Sequence, residues 1–98
     1  MAAIYTYTTW QSRPGMEDEF VKRWEEWIEW SHHQGLGASA RLLRDTERPG
    51  TFVSFGPWAS TSAVASWRAR SGYHERVTRL QEVVESFEPH TLELVSER

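Results

Sequence analysis

Cysteine is absent from the 98 residues, which excludes a disulfide framework, a thiolate zinc site and a cysteine nucleophile. Long apolar runs are missing too. The longest uninterrupted stretch is a few residues, too short to cross a membrane. The opening Met1-Ala2-Ala3-Ile4-Tyr5 has no charged n-region and no long apolar h-region, so a secretory signal is not expected and a cytoplasmic location is. Nor is there an excess of positive charge. A formal net charge of −3 gives no bias toward nucleic acid or anionic lipid. No low-complexity tract, solenoid-period repeat or Ser/Gly-rich linker interrupts the chain. The Gly-rich phosphate loop, the Gly-x-Ser-x-Gly elbow and the His-Glu-x-x-His motif are all missing. What the chain has in quantity is aromatic: six Trp, three Tyr and four Phe. At this length residues 1–98 are expected to form one domain.

Four turn clusters punctuate the chain: Arg13-Pro14-Gly15, Gly35-Leu36-Gly37, Arg48-Pro49-Gly50 and Glu88-Pro89. From Ile4 to Trp10 the residues alternate as in a strand, with Ile4, Thr6, Thr8 and Trp10 on one face and Tyr5, Tyr7 and Thr9 on the other. From Glu17 to about Ser31 the period becomes helical, with Met16, Phe20, Trp24, Trp27, Ile28 and Ser31 on one stripe and Trp30 off its centre. Glu17, Asp18 and Glu19 suit the first turn of that helix. Ala38 to Asp45 and Thr51 to Trp58 read as strands joined by a Pro-Gly turn. Ser60 or Thr61 is placed to cap a second helix carrying Val64 and Trp67, which Gly72 ends or bends. The stripe Tyr73, Val77, Leu80, Val84 and Phe87 predicts a third helix from about Tyr73 to Ser86, and His90 to Val95 a last strand. The order is that of an α+β, ferredoxin-like split βαβ domain: a four-stranded antiparallel sheet with its helices on one face. Such a sheet leaves its other face open. Tyr5 and Tyr7 make that face too aromatic for bare solvent, so a homodimer through a two-fold contact is expected.

The residues also resemble a known family. Arg13-Pro14-Gly15-Met16-Glu17-Asp18-Glu19-Phe20, then Gly37 to Leu43, Gly50-Thr51-Phe52-Val53 and Trp58-Ala59-Ser60 look like the antibiotic biosynthesis monooxygenase domain, in the right order over nearly the whole chain. The resemblance implies a dimeric α+β barrel, in which two sheets pair. It implies oxygenation of a small aromatic substrate of phenolic or quinol type with O2, without flavin, metal or haem. It matches a family Trp to Trp58, and it places Ser54 and Thr8 where those monooxygenases carry Asn. The haem-degrading branch is similar in having a second Trp at Trp67. Its iron-binding His position holds Val77, with His74 one helical turn earlier.

On the residues themselves, Ser54 and Trp58 share a strand face, with Gly56 between them leaving room for a pocket. Thr8, Ser54 and the indole N–H of Trp58 are the candidate donors to a substrate oxyanion. His74 is the candidate acid or base, and Trp24, Trp27 and Trp67 are candidate lining for a flat ligand, though their inward stripes predict core packing first. His32-His33 suit the end of the first helix, and adjacent histidines point apart, so no metal site is expected. His90 is expected to be exposed. Arg68, Arg70, Arg76 and Arg79 are interspersed with Glu75, Glu82 and Glu85, which reads as a solvated face rather than a nucleic-acid footprint. Two rivals accompany the cofactor-free enzyme: a non-catalytic small-molecule-binding or dimerisation module, and a haem protein working through His74. Replacing Tyr5 and Tyr7 together by Lys is expected to weaken self-association, read by light scattering at micromolar concentration. A wild-type monomer there contradicts the dimer.

Overall fold

A computed structural model describes residues 3–35 and 39–98. Strand β1 (Ile4–Ser12) leads into helix α1 (Glu17–His33), followed by β2 (Arg41–Arg44) and β3 (Thr51–Trp58). Helices α2 (Thr61–Arg68) and α3 (Tyr73–Gln81) and strand β4 (Val84–Glu93) complete the chain. The sheet order is β2-β3-β1-β4 with every neighbouring pair antiparallel, the expected ferredoxin-like α+β arrangement. The start of the expected second strand, at Ala38, and most of Gly35-Leu36-Gly37 lie outside the described residues.

Turn chemistry sets the register. Met16 N–H bonds to the Arg13 carbonyl at 2.9 Å and Thr51 N–H to the Arg48 carbonyl at 3.1 Å. In each turn Pro occupies the second position and a glycine the third, Gly15 at φ 79° and Gly50 at φ 81°, as a type II turn requires. Asp45 Oδ1 tightens the second loop by accepting from the Glu47 and Arg48 amides. Ser60 caps α2, its hydroxyl accepting from Ala63 N–H at 3.1 Å. Gly72 does not end α2, which stops at Arg68. It sits at φ 94° as the N-cap of α3.

The core lies between the sheet and the helices. Trp10 and Phe52 from the sheet meet Phe20, Trp24 and Trp27 of α1, Val64 and Trp67 of α2, Leu80 of α3 and the following Val83 and Val84. Arg23 ties α1 to the end of α3, donating to Glu19, to the Arg79 carbonyl and to Glu82 at 2.7–2.8 Å. Trp30 is half-buried under the Arg76 guanidinium, 5.1 Å from its ring, with Gly72 alongside.

The last quarter departs from the expected pattern. Helix α3 stops at Gln81, not near Ser86, and β4 starts at Val84, not His90. The cause is a β-bulge. Ser12 pairs with Val84 and Gln11 with Ser86, so Glu85 is an extra residue in the ladder. Val84 and Phe87 therefore both face inward three residues apart, a spacing that imitates a helix. Glu88-Pro89 is no turn either. Pro89 lies inside β4 opposite Thr8, permitted because β4 is an edge strand with one side free of ladder bonds.

Gly56 has a definite role in this packing. A Cβ there would collide with the Ser39 carbonyl oxygen and lie 3.2 Å from Ala40 Cα. The backbone that leads into β2 thus takes the place a side chain would fill, and Gly56, Ser39 and Ala40 together line the cavity described below. Gly56→Ala should displace the 39–40 segment and cost about 1–3 kcal/mol, measured by urea denaturation. Wild-type stability in that variant would contradict the close approach.

Candidate functional site

Three hydroxyls on three elements fix three indoles. Trp10 Nε1 donates to Ser54 Oγ, Trp58 Nε1 to Thr6 Oγ1 and Trp67 Nε1 to Ser31 Oγ, each at 2.9 Å. Ser31 in turn donates to the Trp27 carbonyl at 2.9 Å, so its proton is committed. The rings are in contact as well: Trp58 and Trp67 centroids lie 4.9 Å apart, Trp67 and Trp27 5.1 Å, and Trp27 and Trp10 6.0 Å. These bonds run between sheet and sheet or helix and helix, and they hold the aromatic rings around a space rather than collapsed into it.

That space is a cavity of about 60 Å³ between the sheet and α1 and α2. Its walls include Thr6, Thr8 and Ser54 from the sheet, Trp24, Trp27 and Ser31 from α1, and Trp58 and Trp67 at one side. The lining residues that are exposed, His32, Ser39, Arg68 and Pro89, mark where it meets solvent. Thr8 and Ser54 are direct cross-strand partners, both inward and buried. Thr8 Oγ1 makes no hydrogen bond among the described residues. Ser54 Oγ accepts from Trp10 and keeps its own proton to donate. The indole N–H groups of Trp24 and Trp27 are buried without an acceptor among the described residues. A buried N–H without an acceptor forfeits about 1–3 kcal/mol.

Six of the seven residues singled out from sequence therefore line one cavity: Thr8, Trp24, Trp27, Ser54, Trp58 and Trp67. Two expectations need correction. His74 is exposed on α3 and does not line the cavity, because it falls on the side of the helix away from the buried Leu80 stripe. The histidine that does line it is His32, which helix-end chemistry alone had seemed to explain. The Trp58 N–H is not free for substrate, since Thr6 accepts it. Thr6, Ser31, His32 and Arg68 were missed. Thr6 and Ser31 share the inward faces already read for Trp10 and Trp27, and that was the available signal. Nothing local marks Arg68, which the end of α2 brings to the opening. Burial holds the Tyr73 phenol above its ordinary range, against the pull of the adjacent Arg68 charge.

The residue on which the haem reading rested, His74, lies outside the lining, and the iron-ligand position of the haem-degrading branch holds Val77. Among the described residues no cluster of three or more His, Asp or Glu is placed to hold a metal ion.

A split βαβ sheet roofed by helices, with a Trp-walled cavity between, defines a small α+β domain built around an enclosed apolar site. The family model for antibiotic biosynthesis monooxygenase matches residues 3–79, and the chain belongs to that family. Among solved structures it is similar to SnoaB, a cofactor-independent oxygenase from Streptomyces nogalater. The identity is 15% and the TM-score 0.89, over 99% of this chain and 97% of that one. A mutant of the same protein gives 16% and 0.88, over 97% and 95%. A conserved protein from Methanosarcina mazei gives 17% and 0.82, over 94% and 92%. No curated protein matches the sequence. Ser31→Ala should leave the Trp67 N–H buried and unpaired, destabilising the fold by about 1–3 kcal/mol in chemical denaturation. A loss below about 0.5 kcal/mol, the lower end for any hydrogen bond, would mean that the bond does not support the cavity wall.

Proposed function

We propose that the protein is a cofactor-independent monooxygenase that oxidises a small phenolic or quinol-type aromatic with O2 in the Trp-lined cavity. The observation that carries this reading is the pair Thr8 and Ser54. Two buried hydroxyls with protons to donate line a cavity walled largely by Trp in a member of a monooxygenase family.

The chemistry asks little of the protein beyond this. An electron-rich substrate such as an anthrone loses a proton from its ring methylene and becomes a delocalised anion. The anion passes one electron to O2, leaving a substrate radical and superoxide. Their combination forms a C–O bond and a peroxide anion, which takes up the proton. Loss of water then leaves a carbonyl, so one oxygen atom enters the product and the other leaves as water. Thr8 and Ser54 serve as donors to the substrate oxyanion, where preorganised hydrogen bonds in a water-poor site act most strongly. Trp24 and Trp27 supply flat walls. Trp58 and Trp67 close the side of the site, and the Trp58 indole acts through Thr6. His32, at the opening, replaces His74 as the side chain suited to take up the methylene proton.

The same surface argument extends to assembly. On the outer sheet face Leu43 and Leu92 are 51% and 45% exposed, beside Tyr5, Tyr7, Val53 and Phe55. We propose that a second copy covers this face. A second functional reading, a binding module without turnover, is favoured by one feature: apart from His32 and Arg68 no ionisable side chain lines the cavity.

Oxygen uptake with anthrone and hydroquinone substrates decides between them. Wild type should exceed the uncatalysed rate, and Thr8→Val should lower turnover roughly tenfold or more without loss of stability, because Thr8 Oγ1 bonds nothing else among the described residues. Ligand-induced quenching of Trp fluorescence with no uptake above the uncatalysed rate would establish the binding module instead.

A further inference from the structure

The chain as a whole is acidic, with 14 Asp and Glu against 11 Lys and Arg. The cavity departs from that balance. Among the described residues its lining contains no Asp and no Glu, and its ionisable side chains are Arg68 and His32, both at the opening. No carboxylate lies within ion-pair distance of Arg68 among the described residues. These two residues end α2 and α1, where the helix carbonyls give a partial negative charge near half an electron. Two such termini together approach one negative charge, but it is spread over several carbonyls, whereas the Arg68 guanidinium concentrates a full positive charge and five N–H donors that an anion can bond.

Size gives this charge a purpose. By the measure in which one water takes about 10–15 Å³, 60 Å³ is a narrow slot. A fused aromatic ring system enters it by one end and keeps its far substituents at the opening. The arrangement presents apolar Trp walls within and a planar cation donor at the rim. We infer that the site selects a planar aromatic anion, its carboxylate or phenolate oxygen held by Arg68 at the rim with His32 as a further nitrogen partner. This rests on the cavity reading above and deepens it: Arg68 is assigned as a specificity-determining residue. Arg suits the task because its fork of donors pairs with both oxygens of a carboxylate, or with one phenolate oxygen, without needing deprotonation.

The test uses three naphthalene probes at neutral pH, with Trp fluorescence as the readout: 2-naphthoate, its neutral isostere 2-naphthamide, and a nitro-substituted 1-naphthol that is ionised under those conditions. At least one anion should bind roughly tenfold more tightly than the amide, and raising the salt should weaken the anion more than the amide. Arg68→Met should erase the preference and leave amide binding unchanged, which also shows that the variant is folded. A preference for naphthoate alone identifies the carboxylate as the recognised group, and one for the naphtholate alone identifies the phenolate. Equal binding of amide and anions by wild type, or a preference that survives in Arg68→Met, overturns the inference while leaving the cavity as a ligand site. Failure of all three probes to bind overturns the cavity reading and the inference together.

Discussion

Every buried indole brings an N–H that must find an acceptor, and much of this structure follows from that requirement. Trp10, Trp58 and Trp67 are each answered by one small hydroxyl, from Ser54, Thr6 and Ser31. Because each hydroxyl sits on a different element from its indole, the bonds fix ring orientation within the sheet layer and within the helix layer. Indoles tied at their polar edge cannot slide together to fill the space between sheet and helices. The cavity is the consequence. Trp24 and Trp27, whose N–H groups have no acceptor among the described residues, are walls of that same cavity.

Two strands and the first helix were plain in the sequence because their periods are clean. β1 alternates without interruption, β3 ends at Trp58 as its Thr51 start and Pro-Gly turn suggest, and α1 carries its stripe from Phe20 to Ser31. β4 was hidden. Its bulge at Glu85 changes the inward spacing from two to three at Val84 and Phe87, and its Pro89 carries the signature of a turn. Both features depend on the partner strand and on edge position, which are tertiary facts. Pattern alone does not contain them.

The site divides in the same way. Residues on the inward faces of regular elements, Thr8, Ser54, Trp24, Trp27, Trp58 and Trp67, came together as their periodicity implied. Residues whose role depends on where an element ends did not. His74 belongs to the solvent side of α3, whereas His32 and Arg68 reach the opening because α1 and α2 stop there. Side-chain pairing was equally invisible: Trp58 and Thr6 are 52 residues apart, and only the β1–β3 register near Ile4 and Trp58 brings them within bonding distance.

Indole N–H resonances report directly on whether a ligand enters the proposed site between the Trp walls. In ¹⁵N-labelled protein titrated with an anthraquinone, a stable analogue of the proposed product, the indole signals of Trp24 and Trp27 should move most. Those of Trp10, Trp58 and Trp67, already bonded to hydroxyls, should move least. Saturating ligand that shifts only the exposed outer-face residues, with the Trp24 and Trp27 signals unmoved, would contradict the account.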